Sequence, residues 1–153
     1  MHNALPQLLL SCFLAPLVAA AAQDTIQFLV KLRTTLDTRE TQVGTPVEAV
    51  VISPERLRGA VVAGTVRESQ GNRLLLIFDR LWDGSRGYLI HGQLGAVVNS
   101  KGNRGVDDLD QPVRIEEGVI ISEGPNLRLE EGAELRFATE KLQPTDARQP
   151  GGS

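Results

Sequence analysis

The chain has 153 residues, with 16 Lys and Arg against 19 Asp and Glu and a formal charge of −3. The signs are interleaved and no basic block stands out, which argues against nucleic acid as a partner. One Trp, one Tyr and four Phe leave few stacking platforms for glycans or single-stranded nucleic acid.

Residues 1–22, MHNALPQLLLSCFLAPLVAAAA, carry no Lys, Arg, Asp or Glu and end in a run of alanines. This is the outline of a secretory signal peptide, cut before Gln23 with the small residues Ala20 and Ala22 ahead of the cut. Its only positive group besides His2 is the α-amino group. A buried N-terminal helix is the alternative, but Pro6 and Pro16 interrupt it and no polar face emerges. A permanent span is disfavoured by the short apolar stretch and the missing positive flank. Leu10-Ser11-Cys12 offers a lipoprotein cleavage box as a minor alternative. Export places the mature protein in the periplasm or outside the cell. Cys12, the only cysteine, leaves with the signal, so stability rests on the hydrophobic core alone.

From Ile26 the pattern is of short strands. Ile26, Phe28, Val30 and Leu32 alternate, with Leu36 further on. TQVGTP turns the chain, and VEAVVIS sets Val47, Ala49 and Val51 on one side of a second strand that Ser53-Pro54-Glu55 closes. In LRGAVVAGTVRES, Gly59 and Gly64 suit a bend, a bulge or close approach to a neighbouring strand. Gln70-Gly71-Asn72 turns into RLLLIFDRLW, the strongest strand signal. Leu74, Leu76 and Phe78 share one face there, and Leu75 and Ile77 the other, so the strand is covered twice or lies against another molecule.

Asp83 to Gly87 turns the chain into YLIHGQLGAVV, where Tyr88, Ile90, Gly92 and Leu94 point one way. Residues 99–111 are glycine-rich, charged and almost free of apolar side chains, which predicts a mobile loop and a candidate binding loop. Arg114-Ile115-Glu116-Glu117-Gly118 is echoed by Arg128-Leu129-Glu130-Glu131-Gly132, suggesting two successive hairpin-like units. AELRFATEKL adds a strand with Leu135 and Phe137 on one face. The expected organisation is a single domain over 23–142 and a disordered tail, QPTDARQPGGS, over 143–153. Seven or eight short strands with frequent glycines favour an all-β barrel, with a β-sandwich as the alternative.

Little of this sequence reads as chemistry. His91 is the only histidine left after export and has no H-x-x-H spacing for zinc, so a strand histidine open to solvent is expected. Asp107, Asp108 and Asp110 lack the spacing of an EF-hand loop. Asp79 and Asp83 flank Trp82, and a carboxylate pair can hydrolyse glycosides, but a strand running into a turn does not force them into one cleft. No nucleophile elbow and no phosphate loop is present, and neither cofactor nor metal is expected. The candidate interface comprises Leu75, Ile77, Trp82, Arg86 and Tyr88, the last three grouped around one turn.

TPVEAVVISP, GNRLLLIFDRLWDGSRGYLIHGQL and ISEGPNLRLEEGAELRFATEKL together resemble a family of exported proteins of unknown function from soil bacteria. They are distantly similar to the β-barrel domain of the conjugal-transfer scaffold that lines the outer part of type IV secretion channels. The carrying stretches are Gly44–Val50, Leu76–Gly87 and the G-x-x-L-x-L-x-x-G-x-x-L run of Gly124–Leu135. At 61–66, VVAGTV stands where the scaffold family has a longer hairpin with a Pro-Ala-Gly turn. The resemblance implies a free-standing periplasmic relative of that barrel with a non-catalytic role. The expected partner is an envelope protein or a second copy of the chain. A polysaccharide- or peptidoglycan-binding module and a hydrolase with scattered carboxylates are the alternatives.

Overall fold

Apolar alternation divides most of the strands into an inward and an outward row, and the inward rows close on one another. The computed structural model describes residues 25–98 and 113–145. The expected signal peptide over 1–22, the loop 99–111 with its aspartate cluster, and the tail beyond Thr145 lie outside the described residues. The strands are β1 (Ile26–Leu32), β2 (Leu36–Asp37), β3 (Pro46–Ser53), β4 (Val61–Gln70), β5 (Arg73–Asp83), β6 (Arg86–Val98), β7 (Val113–Glu116), β8 (Val119–Ser122), β9 (Arg128–Leu129), β10 (Glu134–Thr139) and β11 (Gln143–Thr145). A 3-10 turn, Glu55–Leu57, joins β3 to β4.

Neighbours run in the order β6-β10-β1-β3-β4-β5, and β5 pairs back to β6, closing an antiparallel barrel of six strands. The all-β barrel is therefore the fold, and the sandwich is set aside. The remaining strands are accessories. β11 continues the edge of β6 that β10 occupies higher up, pairing Gln143 with Leu89 and Thr145 with Gly87. The disordered tail expected from Gln143 thus gives way to three ordered residues, because β6 is longer than β10 and offers its unused edge.

Apolar side chains pack the barrel interior. Phe137 stacks between Phe28 (ring centroids 5.1 Å apart) and Phe78 (5.4 Å), and all three are buried. Val30, Leu32, Ala49, Val62, Leu76, Leu81, Ile90 and Leu135 fill the space around them. Two glycines make room. A Cβ on Gly92 would sit 2.5 Å from Phe137 Cδ2, and one on Gly64 would overlap the Ile77 carbonyl. Gly64 sits where the β4–β5 register slips, so the bulge and the close strand approach expected there coincide.

Both ends are plugged. Leu57 and Ala60, beside the 3-10 turn, join the core at the end where β3 and β5 finish. At the opposite end Leu36, Leu127, Leu129 and Ala133 close it, carried by the short β2–β9 pair.

β5 forks. Its second half, from Phe78 to Asp83, pairs with β6, whereas Arg73–Leu75 pair with β8. The Glu117–Gly118 turn joins β7 to β8 in a two-residue hairpin with both residues at positive φ, as the twist of a tight hairpin demands. Its sequence echo behaves differently. β9 pairs with β2, not with β10, and the amide of Gly132 donates to the carbonyl of Leu32. The two similar stretches are therefore one hairpin and one crossing segment, because Leu129 and Ala133 are drawn into the barrel end.

The two glycine clashes differ in kind, one with a movable ring and the other with backbone. Gly92→Ala is expected to cost about 2 kcal/mol in urea unfolding, within the range for overpacking. In the Phe137→Leu background the added cost of Gly92→Ala should shrink to well under 1 kcal/mol or so. Gly64→Ala should abolish cooperative unfolding in either background.

Candidate functional site at the Asp37 strap

The sequence after β1 cannot continue its strand. Thr34 and Thr35 are exposed, and the chain turns to bring Leu36 over the barrel end. Residues 37–41 then form a hydrogen-bonded strap. The amides of Glu40 and Thr41 donate to the Asp37 carbonyl at 2.9 and 2.7 Å, and the Asp37 amide donates to Thr41 Oγ1 at 3.0 Å. Thr38 ties the strap to two other segments. Its hydroxyl donates to the carbonyl of Gly71 and accepts from the amide of Leu127 at 3.0 Å. Ser69 adds a bond to the Thr41 carbonyl at 2.7 Å. Three separate stretches thus meet at one rim.

The charged groups sit on this rim. Asp37 is buried, its side chain 11 % exposed, while Arg39 is 60 % exposed. Arg39 donates to Asp37 through Nε (3.0 Å) and Nη2 (2.7 Å), and its own amide donates to Oδ1 at 2.9 Å. These bonds to the Arg39 side chain, then that from its amide, hold the Asp37 carboxyl down to about 2 against an ordinary 3.8. Burial opposes the shift, and the charges of Arg39 and of Arg128 on the paired strand assist it. Arg128 is the more loosely held guanidinium, 3.7 Å from Glu130 and 57 % exposed.

Asp37, Arg39, Pro125, Asn126, Leu127 and Arg128 line a cleft of about 230 Å³. Leu127 is buried, and the two arginines stand at the lip. The volume is below the usual range for a drug-sized ligand, so the cleft suits one side chain or a small ion.

The residues singled out in the sequence do not assemble into one face. Leu75 and Ile77 are half-buried and point outward from β5, as expected. Tyr88, paired with the inward Leu81, packs against the core instead. Trp82 lies outward beside Val61 and Gly87, yet is only 6 % exposed. It cannot serve as an open contact or a stacking platform. Arg86 is exposed at the two-residue turn opposite Asp83. The cause is the bulge between Phe78 and Arg80, which sets Trp82 on the face opposite Phe78 although simple alternation would put them together. Asp79 is half-buried and Asp83 exposed. His91 is an exposed strand residue whose amide donates to Thr139 Oγ1 at 3.0 Å.

Sequence reading missed Asp37, Arg39 and Arg128. The only local signal was an aspartate two residues before an arginine in LDTRE. Arg128 was hidden inside the apparent repeat.

Comparison with protein-family models, curated proteins and solved structures finds no match.

Two outcomes test this strap. Because the folded-state value of Asp37 lies below its ordinary one, its stabilising effect is complete above about pH 4 and is lost as pH falls toward 2. Asp37→Asn should therefore lower stability by about 1 kcal/mol at pH 7, and the gap to the parent chain in urea midpoints should close over that acid interval. Thr38→Val keeps the shape but orphans the Leu127 amide and the Gly71 carbonyl. It should cost about 2 kcal/mol at every pH.

Proposed function

We propose that the chain is an exported, non-catalytic β-barrel module that works by protein contacts in the cell envelope. The observation that carries this reading is the packed barrel core. Three stacked phenylalanines occupy its centre and buried side chains plug both ends. Among the described residues the barrel centre is taken up by packed apolar side chains, which favours recognition on the outer faces and the rims. The outward row of β5 offers Leu75 and Ile77, half-buried apolar side chains. A charged border of Glu68, Arg73, Arg114 and Glu116 lies at one end of it. An apolar centre with a polar border is the anatomy of a protein contact.

The resemblance of Gly44–Val50, Leu76–Gly87 and Gly124–Leu135 to the secretion-channel scaffold barrel points to the same role, and the uncharged first 22 residues point to export. A glycan-binding reading is weakened by Trp82, whose ring is not open to a sugar.

Affinity purification of the chain from lightly crosslinked envelope, with mass spectrometry, tests the reading. A defined envelope protein should co-purify and should be lost with Leu75→Arg or Ile77→Arg, each checked for a native unfolding midpoint. Equal recovery with both variants, or nothing above background, would overturn it.

A further inference from the structure

We infer that the cleft at the Asp37 strap is a receptor for a single carboxylate of a partner polypeptide, an acidic side chain or a chain end, with Arg128 and Arg39 as its recognition groups. This rests on the protein-contact reading above and assigns it a second contact point, at the rim and away from the outer row of β5.

Arg39 is held before any ligand arrives. Asp37 occupies its Nε and one face of Nη2, which fixes the guanidinium plane and leaves Nη1 and the remaining Nη2 hydrogen directed away from the pair. A guanidinium already immobilised loses less side-chain entropy on binding an anion. Asp37 cannot be displaced easily, since it is buried and also accepts the Arg39 amide. Arg128 completes the lip. It is the strand partner of Asp37, and its 3.7 Å contact to Glu130 is longer than a hydrogen bond. A better-placed carboxylate can therefore recruit it.

The lining selects among anions. Leu127 and Pro125 supply apolar walls, and Asn126 supplies an amide able to bond a peptide group. That mixture fits a carboxylate carried on a short hydrocarbon stem. Polyanions are disfavoured: the chain has a net charge of −3, and exposed Glu40, Glu123 and Glu131 are close in sequence to the cleft residues. The volume of about 230 Å³ likewise accommodates one side chain and not an extended ligand.

The test is a titration of the isotope-labelled chain with blocked pentapeptides, followed by amide chemical shifts. One peptide carries a central glutamate, one a central glutamine, and one a free C-terminal carboxylate; inorganic phosphate at matched ionic strength is the fourth arm. The glutamate or free-carboxylate peptide should shift the amides of residues 37–39 and 126–128 and saturate at low millimolar concentration, with the glutamine peptide about tenfold weaker. Arg128→Ala and, independently, Asn126→Ala should weaken binding severalfold while the remaining spectrum is unchanged. Arg58→Ala, beside the 3-10 turn at the other end of the barrel, should bind as the parent does. No saturation up to about 20 mM, equal shifts with glutamine, tighter binding of phosphate than of either carboxylate, or indifference to Arg128→Ala would each overturn the assignment. Because the titration uses no captured partner, its failure leaves the envelope-capture result standing, and failure of that capture leaves a positive titration standing.

Discussion

The stack of Phe28, Phe137 and Phe78 depends on a bare backbone at Gly92, and the β4–β5 pairing that carries Phe78 depends on another at Gly64. Phe137 lies against the bare Gly92 and thereby reaches both neighbours at stacking distance. At Gly64 the β4 backbone comes so close to Ile77 that no side chain fits. Offset-stacked rings contribute roughly 1 kcal/mol beyond the area they bury, but the larger effect is geometric. The three rings and the aliphatic side chains around them make one continuous buried cluster. The glycines at 64 and 92 are spatial requirements, whereas Gly118, at positive φ in a tight turn, meets only ordinary contacts and is there for its backbone.

A filled barrel transmits constraint outward. With the ends plugged by Leu57 on one side and by Leu36, Leu127 and Leu129 on the other, the segments carrying those leucines are pinned, and so are the polar residues beside them. Asp37 is adjacent to Leu36, and Arg128 lies between Leu127 and Leu129. Their charged groups therefore face the rim from a fixed base. Asp37 keeps its charge there because hydrogen bonds from Arg39 outweigh the desolvation that burial imposes. The arrangement is local in sequence for one pair and long-range for the other, so it forms only when β2 meets β9.

How far the sequence foretold this structure follows from which forces were local. Alternation located the inward rows of β1, β3, β5, β6 and β10, because each buries one face and a period of two is unambiguous. The turns at Gly71, Gly84 and Gly118 were legible from glycine beside polar residues. What was not legible arose from pairing. The bulge after Phe78 set Trp82 on the outer face, and no single-strand pattern announces a bulge whose cause is the partner strand. The repeat at 114–118 and 128–132 misled because similar residues face different neighbours: Ile121 and Ile120 in one case, Asp37 and the barrel end in the other. The charged rim was missed for the same reason, since Asp37 and Arg128 are 91 positions apart in the numbering and meet only through the β2–β9 pair.

The fork in β5 explains why this barrel carries accessories at all. A strand of 11 residues whose pairing with β6 begins at Phe78 leaves its first half with an open edge. Open edges invite pairing with other chains. β8 closes that edge, and the Glu117–Gly118 turn fits into the crotch against Leu75 and Gln93, each within 4 Å of the position a Gly118 Cβ would take. β11 does the corresponding service for β6. Short local strands cover these edges of β5 and β6, and the contacts proposed on the outer row of β5 and at the strap rim are made by side chains. Substitutions on that outer row or at the rim leave both the hydrogen-bonded ladder and the buried cluster in place, so contacts proposed there can be altered residue by residue without cost to the fold.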